Sequence, residues 1–290
     1  MRYAFIEEQR TLHSVRRMCE LLEVSPAGYY EWRGRPPSIR VVANQTLRER
    51  VIQAHLDSRR TYGRPRIHAE LSAQGVAVGI NRIGRLMKAA GIEGIRPRRF
   101  RKTTDSTHAL PIAENVLNRN FDILKVGDVN RVWAGDTTYL PTREGWLYLA
   151  VVIDLASRRV IGWSMSTTMH RNLVIEALQS AVRKRRSTSG TLFHSDRGSQ
   201  YASDEFRNML KARGLRASMS RKAECWDNAC VESFFGSMKR ELGDPIWETR
   251  AIARALVFDY IEVWYNRRRR HSTLGYVSPE EYESSLPIAA

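Results

Sequence analysis

Cysteine is scarce in this 290-residue chain: Cys19, Cys225 and Cys230 are too few to pair off evenly and match no zinc-ligand spacing. A disulfide-stapled secreted scaffold is therefore excluded, and such thiols suit a reducing cytoplasm. Long apolar runs are also missing. The longest, Trp146 to Ile153, has eight residues, against the roughly 20 that a membrane-spanning helix needs. The opening MRYAFIEEQR puts Glu7 and Glu8 where a secretory signal has its apolar stretch, so no signal peptide and no membrane partner is expected. No Gly-x-Gly-x-x-Gly or Walker-type loop occurs, which leaves nucleotide hydrolysis without support. Acidic residues run short as well, 31 against 47 basic ones for a net charge of +16, and that excess favours a polyanionic partner. Only seven of the 47 cations are Lys. The surplus of Arg suits bidentate phosphate contacts but follows equally from genomic base composition, so only its clustering carries information.

What is present fits a folded chain of two domains: hydrophobic residues make up 42% and aromatics 9%, enough to bury a core. Residues 1–128 hold 23 basic and 13 acidic side chains, and residues 129–290 hold 24 and 18. A short helical unit is predicted within 1–35, with a helix from Thr11 to Val24 ended at Ser25-Pro26; Arg35-Pro-Pro-Ser then breaks the chain. Over 44–95 the pattern predicts a helix-turn-helix domain. One helix starts at Asn44, a second is entered through Pro65, and a third is capped by Asn81 with Ile83, Leu86 and Met87 inward. Arg82, Arg85 and Lys88 on the outer face of the third helix are the candidate DNA contacts. Residues 96–128 open with Arg96-Pro-Arg-Arg-Phe-Arg-Lys102 and are read as a basic linker.

From 129 to 285 the pattern changes. Val132 to Leu140, Trp146 to Leu155 and Val160 to Ser166 are predicted strands separated by turns at Arg143-Glu-Gly and Ala156-Ser-Arg-Arg. A helix over Leu173 to Arg186 follows, then a strand over Thr191 to His194 and a helix from about Ser203 to Arg213. A strand over Leu215 to Met219, a helix from about Asp227 to Leu242 and a long helix from Glu248 to about Asn266 complete the series. The order βββαβαβα specifies an α/β fold, a mixed five-stranded sheet with flanking helices, preceded by the small all-α region.

Three carboxylates stand out. Asp136 lies inside the first β run, where a charge is costly unless paired or bound to metal. Asp196 follows directly on the fourth strand and would meet Asp136 if strand 4 lies beside strand 1. Glu232 lies on a helix, separated from Asp196 by 35 intervening residues, with Asn228 and Lys239 on the same helical face. Three hard oxygen ligands suit Mg²⁺, with Mn²⁺ as a substitute. Two such ions would serve an in-line displacement that needs no side-chain nucleophile.

The stretches YGRPRIHAEL, INRIGRLMK, WAGDTTYL, VVIDLASRRVIGWSM, FHSDRGSQY, DNACVESFFGSMKRE and YNRRRRHSTLGYVSPEEY span roughly residues 44–285. In them the chain resembles the second-reading-frame (OrfB) transposases of bacterial insertion sequences, which share the retroviral-integrase catalytic core. The resemblance implies a ribonuclease-H-like fold and a DDE triad of Asp136, Asp196 and Glu232, catalytic and metal-ligating, with Lys239 touching DNA near the element's end. It also implies binding to terminal inverted repeats and target DNA, a homo-oligomer on that DNA, and an upstream-frame DNA-binding partner or fusion segment. The expected location is the bacterial cytoplasm, at the nucleoid.

Neighbouring residues carry less. Asp154 is expected to hold a turn, Cys225 and Cys230 to pack, and Trp133, Trp146 and Trp163 to sit in the core. His194 fits either a phosphate contact or a satisfied core position, and Asn228 is balanced between substrate and structure. The run Arg267–Arg270 is expected to reach DNA. Two rivals remain: a DNA-binding repressor that has lost its chemistry, and a tyrosine recombinase built on His194-Ser-Asp-Arg197 with Tyr260 or Tyr265.

Overall fold

A computed structural model describes residues 1–95, 111–118, 129–185, 189–221, 228–243 and 245–286. The basic run 96–102, most of the expected linker and Cys225 lie outside these residues.

Three short helices, α1 (Arg2–Gln9), α2 (Val15–Leu21) and α3 (Pro26–Gly34), close around Ile6, Met18, Cys19 and Tyr29. The predicted helix over Thr11 to Val24 is thus shorter, and Ser25-Pro26 opens a helix of its own. Ser25 caps α3 by accepting from the Gly28 N–H, and a proline at the first helical position lacks only a donor that would be unpaired anyway. The Arg35-Pro-Pro break holds. Helix α4 (Ile39–Asp57) begins five residues before Asn44, because Ser38 caps it through the Val41 N–H.

Helices α5 (Arg64–Ala73) and α6 (Ile80–Ala89) pack against α4 as the helix-turn-helix unit. Pro65 sits in the first turn of α5. The N-cap of α6 is Gly79, not Asn81, which lies inside the helix. Ile83 and Met87 are buried as expected, and Leu86 packs partly buried beside them. This unit does not close a core of its own. Leu47, Val51, Ile67, Leu71 and Ile83 belong to one apolar cluster with Leu147, Val151, Phe234 and Trp264 of the later chain.

The sheet runs β3-β2-β1-β4-β5, the mixed ribonuclease-H-like order, with β1 (Val132–Thr142), β2 (Gly145–Asp154), β3 (Val160–Ser166), β4 (Leu192–Ser195) and β5 (Arg216–Met219). The first three form an antiparallel meander, while β4 and β5 add in parallel. The β1–β2 turn closes at Gly145, whose φ of +102° is strained for any L side chain. Alternation along the strands separates two apolar faces. Trp133, Ala150, Val152 and Phe193 form one core with α7 (Arg171–Lys184), α8 (Ser199–Ala202) and α9 (Asp204–Ala212). Leu140, Leu147, Leu149 and Val151 form the other with α10 (Ala229–Glu241) and α11 (Arg250–Phe258).

The long helix expected over Glu248 to Asn266 changes type midway. After α11 the chain widens into a π-helix, Asp259–Tyr265, that buries Tyr260, Ile261, Trp264 and Tyr265. Last come a 3₁₀ turn and α12 (Pro279–Ser285), which opens on a Ser278/Glu281 capping box.

The run Arg267–Arg270 overturns its expected DNA role at two positions. Arg269 is buried against Glu241, and Arg270 pairs with Glu70 at 2.7 Å and donates to the Tyr276 carbonyl. The Tyr62 hydroxyl accepts from the Arg270 N–H at 2.6 Å, so Arg270 fastens the helix-turn-helix unit to the rest while Arg269 is held by Glu241. Among the described residues no helix is long and apolar enough to cross a membrane.

Candidate active site

Asp136 lies within β1 and Asp196 directly follows the end of the neighbouring β4. The β1–β4 pairing ends at Gly135↔Ser195, and each aspartate is the next residue. The missing side chain at position 135 makes room for the Phe193 ring: an added Cβ would lie 2.6 Å from Phe193 Cζ. Asp136 Oδ1 accepts from the Thr137 N–H at 2.7 Å, and Asp196 Oδ1 from the Gly198 N–H at 3.0 Å.

Glu232 comes from the first turn of α10. The start of that helix is held to β1 by Asn228, which is buried and donates through Nδ2 to the Gly135 carbonyl at 3.3 Å. Among the described residues, Asn228 Oδ1 has no hydrogen-bond partner. That places Asn228 as a structural tie and leaves an acceptor beside the carboxylates.

The three acids feel one another. Burial pushes the Asp136 carboxyl well above the usual range, with Asp196 and Glu232 adding to the effect and the Thr137 N–H and Lys239 opposing it. Burial and then Asp196 push Glu232 up to about 7. The buried phenol of Tyr201 is also raised, first by burial and then by both aspartates. Like charges held together at the surface of a low-dielectric core disfavour ionisation unless a cation joins them. Among the described residues no three His, Cys, Asp or Glu side chains are gathered tightly enough to cage an ion alone. The set is therefore an electrostatic cluster of hard oxygen donors in excess of its positive charge, which fits a divalent cation that shares its ligands with a phosphate.

The repulsion has a measurable sign. A raised carboxyl contributes stability fully present below its unfolded value, near 4.5 for Glu232, and lost as pH rises through about 7. With divalent ions removed, Glu232→Gln is expected to melt a few degrees above the wild type at pH 8 and level with it at pH 5, read by thermal denaturation.

Lys239 lies two turns beyond Glu232 and sets its ammonium 5.1 Å from the centre of the Tyr139 ring. On the helix-turn-helix unit, Arg85 and Lys88 are exposed. Arg82 instead donates twice to Asn44 Oδ1, at 3.0 and 2.7 Å, and braces α6 against α4.

Other residues resolve plainly. His194 is fully buried between the hydroxyls of Ser218 and Ser220, a satisfied core histidine. Asp154 accepts the N–H groups of Asn130, Ala156 and Ser157 and so holds its turn. Cys230 packs under the Arg158 guanidinium. Trp133 is buried and Trp163 half-buried with its indole N–H on Glu262, whereas Trp146 is 49% exposed and not a core residue. Tyr260 and Tyr265 are both buried with phenols pushed upward by burial, which deprives the tyrosine-recombinase alternative of an accessible nucleophile. The sequence reading missed Tyr201; its signal was an aromatic on the short helix directly after Asp196.

Known families match the chain in three places. An HTH-like domain covers residues 43–100, one integrase core model covers residues 128–225 and a second covers residues 213–279. Fold and matches together define an integrase-core protein with a helix-turn-helix-like domain ahead of it. Transposase InsF for insertion sequence IS3A of Escherichia coli (strain K12) is 43% identical over 289 residues, covering 98% of this chain and 99% of InsF. The insertion element IS600 uncharacterized 31 kDa protein of Shigella sonnei is 41% identical over 266 residues, covering 91% and 97%. The chain belongs to the IS3 family of insertion-sequence transposases. Among solved structures, the simian T-cell lymphotropic virus intasome in complex with PP2A regulatory subunit B56 gamma aligns at a TM-score of 0.45 and 16% identity, over 77% of this chain and 74% of that one.

Proposed function

We propose that this protein binds the terminal inverted repeats of its own element and cuts and joins DNA at Asp136, Asp196 and Glu232 by in-line phosphoryl transfer. The observation that carries the reading is the convergence of three mutually repelling carboxylates, one within β1, one just past the end of the adjacent β4, and one from a helix tied to β1. Those three residues would hold Mg²⁺, two ions at the reacting phosphate, which supply Lewis-acid stabilisation of the attacking and leaving oxygens. The protein's own groups do the rest. Asp136 and Glu232 must shed their protons for the site to accept positive charge. Asn228 fixes the start of α10, and so the direction from which Glu232 enters. Lys239 acts as a compact charge that positions the DNA backbone next to the site. Water attacks first, freeing a 3′-OH; that hydroxyl then attacks a second phosphodiester, and each displaced oxygen leaves protonated. Handling two ends calls for at least two copies on the DNA.

The test is cleavage of duplex carrying the element's end, with Mg²⁺ and with EDTA. Cleavage that EDTA stops supports the reading. EDTA-resistant covalent capture would indicate a recombinase, and binding with no cleavage a repressor.

The helix-turn-helix unit would supply end recognition through α6. Its core is continuous with the rest of the chain, so the full-length protein is the right material. Replacing Arg85 and Lys88 together with Ala is expected to flatten the slope of log affinity against log salt by about 2, near 0.9 for each lost phosphate contact. An unchanged slope, measured by titration at several salt concentrations, would remove α6 from the interface.

A further inference from the structure

Tyr139 and Trp146 are 40% and 49% exposed, an unusual position for a large aromatic pair on a strongly basic protein. Their rings meet edge to face with centroids 5.0 Å apart, and the Lys239 ammonium stands 5.1 Å from the Tyr139 centroid. Tyr139 is three residues beyond Asp136 on β1, about 10 Å at 3.3 Å per residue, with its side chain on the opposite face of the strand, and Lys239 of α10 reaches its ring. The hairpin that carries the pair is held firmly. Thr142 bridges to Trp247, the Arg143 and Trp247 N–H groups bond across at 2.9 and 3.2 Å, and Glu144 accepts the Arg250 N–H. The two rings are thus presented in a fixed geometry, and a ligand meeting them orders little.

Resting on the transposase reading above, we propose that Tyr139 and Trp146 form a stacking platform for one unpaired base of the DNA strand that Lys239 holds beside the carboxylates. An exposed aromatic face next to a cation is the arrangement that binds single-stranded nucleic acid: the charge holds the phosphate and the ring takes the base. A base still in the duplex cannot reach such a face, so the platform implies that the end is opened within a few nucleotides of the reacting phosphate.

The experiment is a double-mutant cycle on the full-length chain. Binding of a fluorescein-labelled duplex bearing the element's end is measured in Ca²⁺, with a single abasic site walked through the nucleotides flanking the cleaved phosphate. Trp146→Ala is expected to weaken binding of intact DNA about tenfold, and Trp146→Phe much less. At one abasic position, the wild type should lose the same tenfold and Trp146→Ala should lose nothing more. Tyr139→Ala should couple to the same position. Additive losses at every position, or none, would overturn the platform. A shift in sedimentation for Trp146→Ala with unchanged DNA affinity would also overturn it, since the pair would then be a contact between copies. Cleavage in Mg²⁺ is read separately. Coupling without cleavage keeps the platform and defeats the catalytic reading, whereas cleavage without coupling does the reverse.

Discussion

Asp136→Asn, Asp196→Asn and Glu232→Gln are each expected to reduce DNA cleavage and strand transfer at least a hundredfold while leaving binding of end-bearing DNA close to the wild-type level. Each substitution keeps the shape of the side chain and removes its charge, so packing around β1, β4 and α10 is undisturbed. On the proposed reading, what would be lost is a hard anionic ligand, and with it several kcal/mol of electrostatic stabilisation at the phosphate, every ~1.4 kcal/mol being a factor of ten in rate. The three losses should not add, because a site missing one ligand has already lost its cation. Removing a repelling charge should, if anything, raise the melting temperature, given the upward push on Asp136 and Glu232. A single variant that keeps more than about a hundredth of wild-type cleavage would remove that residue from the site.

The second large effect falls far from the carboxylates. Glu241, at the end of the helix that carries Glu232, pairs with Arg269 at 2.7 Å, and each side chain is only 5% exposed. Glu241 also accepts the Tyr260 hydroxyl at 3.1 Å and the Trp264 indole at 3.0 Å. Burial alone would raise its carboxyl, but Arg269 and the Trp264 indole hold it below the usual range. Glu241→Gln leaves a buried guanidinium without its counter-charge, and breaking such a pair costs about 3–5 kcal/mol. The melting temperature is expected to fall by roughly 10 °C, at about 2–4 °C per kcal/mol for a chain of this size. Replacing both partners with Met should recover much of the loss, because no charge is then stranded. Equal melting of Glu241→Gln and wild type would show that the pair is wet and weak.

The strands were legible because Trp146 to Ile153 is a short β-rich apolar run of strand length, and because the turns at Arg143-Glu-Gly and after Asp154 carry their own signals. Asp136, Asp196 and Glu232 were legible as charges in apolar or motif-bound settings. Helix boundaries were less so. Asn44 and Asn81 are acceptable caps that the chain does not use, since Ser38 and Gly79 open those helices, and Ser25, read as an end, caps the helix that starts at Pro26. The π-helix has no local sequence signal, since it exists to place Tyr260, Ile261, Trp264 and Tyr265 against partners remote in sequence.

By itself, then, the sequence determined the class of fold and singled out the three candidate acids and the excess of positive charge, because periodicity, motif spacing and net charge are properties of the chain alone. The tertiary structure decided which charges are spent internally. Arg267 to Arg270 and Arg85 with Lys88 look alike as basic runs, yet Arg269 and Arg270 are consumed by Glu241 and Glu70 from distant helices, while Arg85 and Lys88 stand exposed. It decided equally that Trp146 is a surface group and Trp133 a core one. Both lie in β runs, and only the sheet order, with helices covering one strand's end and not the other's, determines which indole meets water.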